Sequence, residues 1–238
     1  MHSGRDEVRA ALRQQLVADG VMGVRSLPMP RPGERARVGL AEKQQLLKVL
    51  DEGQVRGCTK CGLSRTRTRT VFGQGSADAR LVFVGEAPGF DEDRTGLAFV
   101  GPAGQLLTRM IVAMGLTREE VFICNVLKCR PPENRDPTAD EILTCGPYLA
   151  EQLSIIRPEV IVALGAPAAK TLLRTAASIG KLRGKFHEYF PSGVEGIGES
   201  IPVMPTYHPA YLLRNPEEKG KTWADLQMVM ERMGLVRP

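Results

Sequence analysis

No stretch of the chain approaches the roughly 18 consecutive apolar residues of a membrane-spanning helix, so an integral membrane protein of that kind is not expected. The opening residues, MHSGRDEVRA, lack the apolar centre of a secretory signal, and a cytoplasmic protein is expected. Histidine is scarce, with three among 238 residues, and aromatics make up only 5%. Chemistry that needs an imidazole or a stacked ring must therefore draw on very few positions. Cysteine is present in odd number, at Cys58, Cys61, Cys124, Cys129 and Cys145. Without an export signal, an odd count argues against a disulfide framework and makes metal or cluster ligation the leading alternative. One segment lacks acids: RGCTKCGLSRTRTRTV (56–71) carries Arg56, Lys60, Arg65, Arg67 and Arg69, five charges that equal the net charge of +5. It reads either as a solvated basic turn or as a surface for a polyanion.

The hydrophobic content of 42% is enough for one good core, or for a domain with an appendage. Residues 6–20 show weak helical periodicity, and PMPRPGERARVG (28–39) reads as a linker. The expected division is an N-terminal appendage and Pro-rich linker over 1–39, then a compact domain over 40–238. LAEKQQLLKVLDE (40–52) is expected to be a helix, with Leu40, Leu46, Leu47 and Leu50 near one face. Further on, RLVFVG (80–85), VFICNVL (121–127), EVIVALG (159–165) and IPVMPTY (201–207) are short, β-branched apolar runs. Helical patterns lie between and after them, at 105–115, 138–156, 165–173 and 222–234. The second opens with Thr138 and Glu141 at capping-box spacing. This alternation predicts an α/β fold, a three-layer αβα sandwich around a central, mostly parallel sheet.

In such a sheet the ligand crevice lies off the carboxyl ends of the strands. The first strand runs into GEAPGFDED (85–93), the second carries Asn125 near its end, the third leads into GAPA (165–168), and the fourth into His208. An acidic loop, an amide, a glycine-started helix and an imidazole are thus expected to converge on one site. Cys58 and Cys61 form a C-x2-C pair on the basic segment, and Cys129 and Cys145 flank the start of a helix. Four thiolates of this kind suit either a structural zinc or an iron–sulfur cluster, and spacing does not choose between them. Cys124, inside an apolar strand, reads as a core thiol.

GEAPGFDEDRTGLAFVGPAGQLL (85–107), NVLKCRPPENRDP (125–137), the four-cysteine spacing and HPAYLLR (208–214) together resemble the family 4 uracil-DNA glycosylases, which carry a [4Fe–4S] cluster. The resemblance covers roughly residues 40–235. It implies a DNA repair enzyme that flips uracil out of single- or double-stranded DNA and hydrolyses its N-glycosidic bond, leaving an abasic site. It also favours a [4Fe–4S] cofactor on Cys58, Cys61, Cys129 and Cys145, and a monomer is expected. By motif, Phe99 resembles the ring that stacks on uracil, Asn125 the amide that reads its edge, and His208 the donor to O2. Gly85 and Ala87 fall on the substrate loop. Glu86 and Glu92 match family acids, with Glu92 expected near the base and Glu86 near the sugar, and Asp91 and Asp93 solvated or capping the loop. Ala87 stands where the fastest glycosylase class has a water-activating aspartate. Gly165 and Ala166 at a helix start suit a phosphate; Leu212 or Leu213 is a candidate wedge and Arg214 a phosphate contact. His187 reads as a surface or turn residue. Two rivals are a cross-linking relative with a histidine nucleophile and a non-enzymatic iron–sulfur DNA-binding protein. The first is disfavoured because residues 126–144 contain no histidine. The second leaves GEAPG, Asn125 and His208 unexplained together.

Overall fold

The computed structural model describes residues 38–196 and 198–236. The helical reading of residues 6–20 lies outside them, as does the 28–39 linker except for its last two residues. The four apolar runs form β2 (Leu81–Gly85), β3 (Phe122–Asn125), β4 (Val160–Leu164) and β6 (Ile201–Thr206). These pair in parallel, in the spatial order β3-β2-β4-β6. Two short antiparallel strands close the edges: β1 (Gln74–Gly75) on β3 and β5 (His187–Tyr189) on β6. Strands of two and three residues carry no readable period, and the sequence pattern does not reveal them.

Both faces of the sheet are covered, which is why β2 and β4 are apolar throughout. Val82, Val84, Ile161 and Val203 pack toward α1 (Leu40–Leu50), α4 (Ala139–Ile156) and α5 (Ala166–Leu173). Phe83, Val162 and Met204 pack toward α3 (Pro102–Ala113) and α8 (Lys219–Met233). Alternate residues of one strand therefore feed opposite layers, as a three-layer α/β sandwich requires. Three shorter helices complete the order: α2 (Phe90–Thr95), α6 (Ile179–Leu182) and α7 (Pro209–Arg214).

Helix α1 corrects one detail of the sequence reading. Leu47 and Leu50 are buried, but Leu40 and Leu46 are 49% and 42% exposed. The third buried position is Lys43, whose Nζ donates to the Ile156 carbonyl at 2.8 Å and pairs with Asp78 at 2.6 Å. A lysine can occupy the apolar stripe because its stem packs while its head finds acceptors. Helix α4 begins as its sequence signals: Thr138 Oγ1 accepts from the Glu141 amide at 3.3 Å, and Glu141 Oε2 accepts from the Thr138 amide at 2.9 Å. No helix among the described residues is long and apolar enough to cross a membrane.

Candidate active site

A cavity of about 430 Å³ opens where β2, β3 and β6 end. Its walls come from the 86–92 loop, Phe99, Asn125, the 131–136 turn, and His208 through Arg214. Of the residues singled out from sequence, Glu86, Ala87, Glu92, Phe99, Asn125, His208 and Arg214 line it together.

The register explains this convergence. Gly85 pairs with Asn125 across β2 and β3, so the amide stands beside the first turn of the acidic loop. A Cβ on Gly85 would lie 2.3 Å from Asn125 Oδ1 and 2.6 Å from Phe99 Cζ. Glycine is needed here for close approach. Asn125 is 1% exposed, and its Oδ1 has no hydrogen-bond partner. A buried, unpaired acceptor costs about 1–3 kcal/mol, and such groups mark sites that a ligand completes. Phe99 is held with φ +52°, a strained conformation for a non-glycine residue. Helix α3 packs tightly on it: a Cβ on Gly104 would fall 1.9 Å from the Phe99 carbonyl oxygen. The Phe99 and His208 rings lie 5.7 Å apart, tilted by 35°.

His208 caps α7. Its Nδ1 accepts from the Ala210 amide at 3.1 Å, which puts the proton of the neutral ring on Nε2. Burial first and Arg214 second pull its pKa down to about 4, with Glu92 opposing the shift. The imidazole is therefore a neutral donor at physiological pH. Behind it, Gly165 has φ +89°, and a Cβ there would sit 3.0 Å from His208 Cβ. Gly165 thus lies at the back of His208, and neither it nor Ala166 is among the cavity-lining residues.

The two glutamates differ sharply. Glu92 Oε2 accepts from the Gly89 amide at 3.1 Å, and its Oε1 accepts from the Val100 and Gly101 amides at 2.8 and 3.0 Å. Its carboxylate ties the acidic loop to the Phe99 turn. Glu86 is only partly buried, and its pKa is raised by burial first and by Asp136 second. Asp93 is buried and accepts from the Thr68 amide at 2.9 and 3.0 Å, clamping the basic segment onto the acidic loop. This agrees with loop capping and not with a solvated acid. Leu212 requires a correction: at 1% exposure it is core, because α7 turns it inward, whereas Leu213 is 41% exposed. His187 lies on edge strand β5, its Nε2 2.9 Å from the Leu182 carbonyl, beside a separate cavity of about 630 Å³. That cavity contains none of the other candidates.

The sequence reading missed Asn134, Arg135, Asp136 and Tyr211 as wall residues. The Pro-Pro turn was the available signal, because Glu133 and Asn134 both take positive φ there. Arg135 is fixed by a forked pair to Glu141 at 2.7 and 2.9 Å, which holds the Glu141 carboxyl below its ordinary value.

The cysteines share one neighbourhood. Cys58 and Cys61 act electrostatically on Cys129, and Cys61 and Cys129 on Cys145. Donors surround the sulfurs: Arg67 Nη1 to Cys129 at 3.2 Å, the Lys128 amide to Cys145 at 3.2 Å, and Tyr148 Oη to Cys58 at 3.3 Å. Burial pushes the Cys145 thiol up to about 11. Among the described residues, no three His, Cys, Asp or Glu side chains are gathered tightly enough to hold one metal ion. A single zinc needs every sulfur at about 2.3 Å from one centre; a cluster gives each sulfur its own iron. Four thiols form a soft donor set of the kind that suits iron or zinc. The basic segment is also partly committed: Arg56 pairs with Asp51 at 3.0 Å, and Lys60 lies over the Tyr148 ring. Cys124 is fully buried in β3, as a core thiol.

Residues 72–227 match the model of the uracil DNA glycosylase superfamily. The chain belongs to that superfamily, in its type-4 branch. The type-4 uracil-DNA glycosylase of Archaeoglobus fulgidus is 45% identical over 189 residues, covering 78% of this chain and 92% of the relative. That of Thermotoga maritima is 47% identical over 174 residues, covering 73% and 86%. That of Saccharolobus solfataricus is 46% identical over 185 residues, covering 76% and 83%. The fold expected for the superfamily is the one described above.

Proposed function

We propose that this chain excises uracil from DNA by hydrolysing the N-glycosidic bond, the first step of base-excision repair. The observation that carries the reading is the unpartnered Asn125 Oδ1 in a cavity with an aromatic ring and a neutral imidazole. The base, extruded from the helix, stacks on Phe99. Asn125 Oδ1 accepts from uracil N3–H, and its amide nitrogen donates to O4. Cytosine has no proton on N3 and a donor at C4, so both amide groups would stay unpaired, which makes discrimination strong. His208 Nε2–H donates to O2, where negative charge grows as the base leaves.

The sugar becomes cation-like in the same step, and a carboxylate nearby offsets that charge. Glu86 is the acid with free oxygens for this, and for orienting the attacking water. Glu92 is assigned instead to holding the loop, since three amides already donate to it. This revises the division of labour expected from sequence. Gly85 and Ala87 keep the floor of the site low. Arg214 is proposed to meet phosphate, Leu213 replaces Leu212 as the candidate wedge, and the amides after Gly165 remain a candidate phosphate contact. Cys58, Cys61, Cys129 and Cys145 would hold a [4Fe–4S] cluster. Its part would be structural: it would pin the basic 56–71 segment against the rest of the domain. The compact domain is assigned to residues 40–238, with 1–39 as an appendage.

Incubation with a uracil-containing oligonucleotide, followed by alkali, tests the reading. A cleaved strand is expected. A denaturant-stable protein–DNA adduct would point to a cross-linking relative, and intact DNA to a binding module. Asn125→Asp should narrow the preference for uracil over cytosine by at least tenfold, because a carboxylate cannot donate to O4. Unchanged discrimination would remove Asn125 from the edge-reading role.

A further inference from the structure

Phe90 opens α2, immediately after cavity-lining Gly89, yet it is 61% exposed. Leaving a phenylalanine ring in water forgoes the gain of burying it, and none of the chemistry above uses it. The ring is not isolated. The Arg130 guanidinium lies over it at 5.2 Å from the centroid, and Arg130 immediately precedes Pro131 of the cavity wall. Arg130 is in turn fixed, its Nε donating to Asn134 Oδ1 at 2.8 Å. Asn134 is a wall residue held at φ +56°. A ring at the start of α2 and a cation after β3 therefore flank the mouth, each one residue from the wall, and the 130–136 turn holds the cation in place.

An exposed aromatic beside a fixed arginine is the combination that binds single-stranded nucleic acid. The ring takes a base face and the cation offsets phosphate charge. We propose that Phe90 and Arg130 form a stacking platform for a nucleobase next to the flipped uracil, on the same strand. This extends the DNA-excision reading and rests on it for the identity of the ligand. Extruding one nucleotide unstacks its neighbour, and a ring at the mouth gives that neighbour a new surface. The apolar ring is then covered by the base in the complex, which accounts for its exposure in the free protein. Phe90 is a DNA-contacting residue in this scheme and takes no part in bond breaking.

The test uses the full chain, wild type against Phe90→Ala, Phe90→Trp and Arg130→Gln. The probe is a labelled single-stranded oligonucleotide holding one uracil nucleotide fluorinated at the sugar, which blocks cleavage. Phe90→Ala should weaken binding roughly tenfold, and Phe90→Trp should restore it. Arg130→Gln should lower the slope of log affinity against log salt by about one. Replacing the base 5′ or 3′ of the uracil by an abasic spacer should cost the wild type a similar factor on one side, and cost Phe90→Ala nothing further there. Wild-type affinity in Phe90→Ala overturns the proposal, and so does a loss that is the same whether or not the neighbouring base is present. Excision by wild type on a cleavable strand is measured in parallel. Its absence would remove the excision reading, while the binding series would still decide for or against the platform.

Discussion

His208 shows how one side chain is prepared by its immediate surroundings. The Ala210 amide occupies Nδ1, so protonating the ring would break that bond as well as bury a charge. With its pKa pulled down to about 4, His208 stays neutral across the range in which an ordinary histidine, at about 6.5, would titrate. Glu86 moves the other way: burial and Asp136 favour its neutral form. In the proposed reaction Glu86 must be ionised, so activity should fall as pH drops through its raised pKa. The acid limb of kcat/KM should therefore lie above the ordinary carboxylate value of 4.5. Glu86→Gln should remove that limb and slow excision about a hundredfold or more. A pH–rate profile of both proteins checks this, and an unchanged limb in Glu86→Gln would assign it to another group.

At the scale of elements, the site depends on two close approaches that glycine permits. Gly85 lets β2 pass beside the Asn125 amide, and Gly104 lets α3 press on the Phe99 backbone. A methyl at 104 would sit 1.9 Å from the Phe99 carbonyl oxygen, so the helix or the turn must move. Gly104→Ala should cost about 1–3 kcal/mol of stability and should weaken uracil binding by more than stability alone explains. The positive φ of Phe99 is retained only while the helix confines it. Denaturant unfolding and binding of free uracil measure the two effects separately.

At the scale of the whole molecule, the sheet joins the base-reading amide on β3 to the imidazole beyond β6. The end of β6 is anchored by a buried group of charges. Asp225 of α8 accepts from Thr206 Oγ1 at 2.6 Å and pairs with Arg183 at 2.7 Å, its own side chain 1% exposed. This ties a helix of one outer layer to the strand that delivers His208 two residues later. Asp225→Ala would leave Arg183, itself only 17% exposed, without its carboxylate and with the Lys221 carbonyl and the Tyr207 ring as remaining partners, and should cost about 3 kcal/mol. The expected readout is a lower denaturation midpoint together with slower excision, because His208 loses its support.

Local pattern was enough to find the four parallel strands, the α4 capping box and the order of Gly85, Asn125 and His208 at strand ends, because hydrophobic period and cap chemistry are written over a few neighbouring residues. The same was true of Cys124, a core thiol within its strand. The outcome of competition between distant groups was not written there. Glu86 and Glu92 are both acids of one loop, and only the folded chain brings the amides of Gly89, Val100 and Gly101 onto Glu92 and leaves Glu86 free. Leu212 and Leu213 are adjacent and chemically identical; the facing of α7 buries one and exposes the other. Phe90 and Arg130 are forty residues apart, and only the folded chain sets the guanidinium over the ring. Sequence determined which chemical groups stand at the ends of the strands. Tertiary structure decided which of them remain unpaired, since hydrogen-bond partners and solvent exposure are assigned only when separate segments meet.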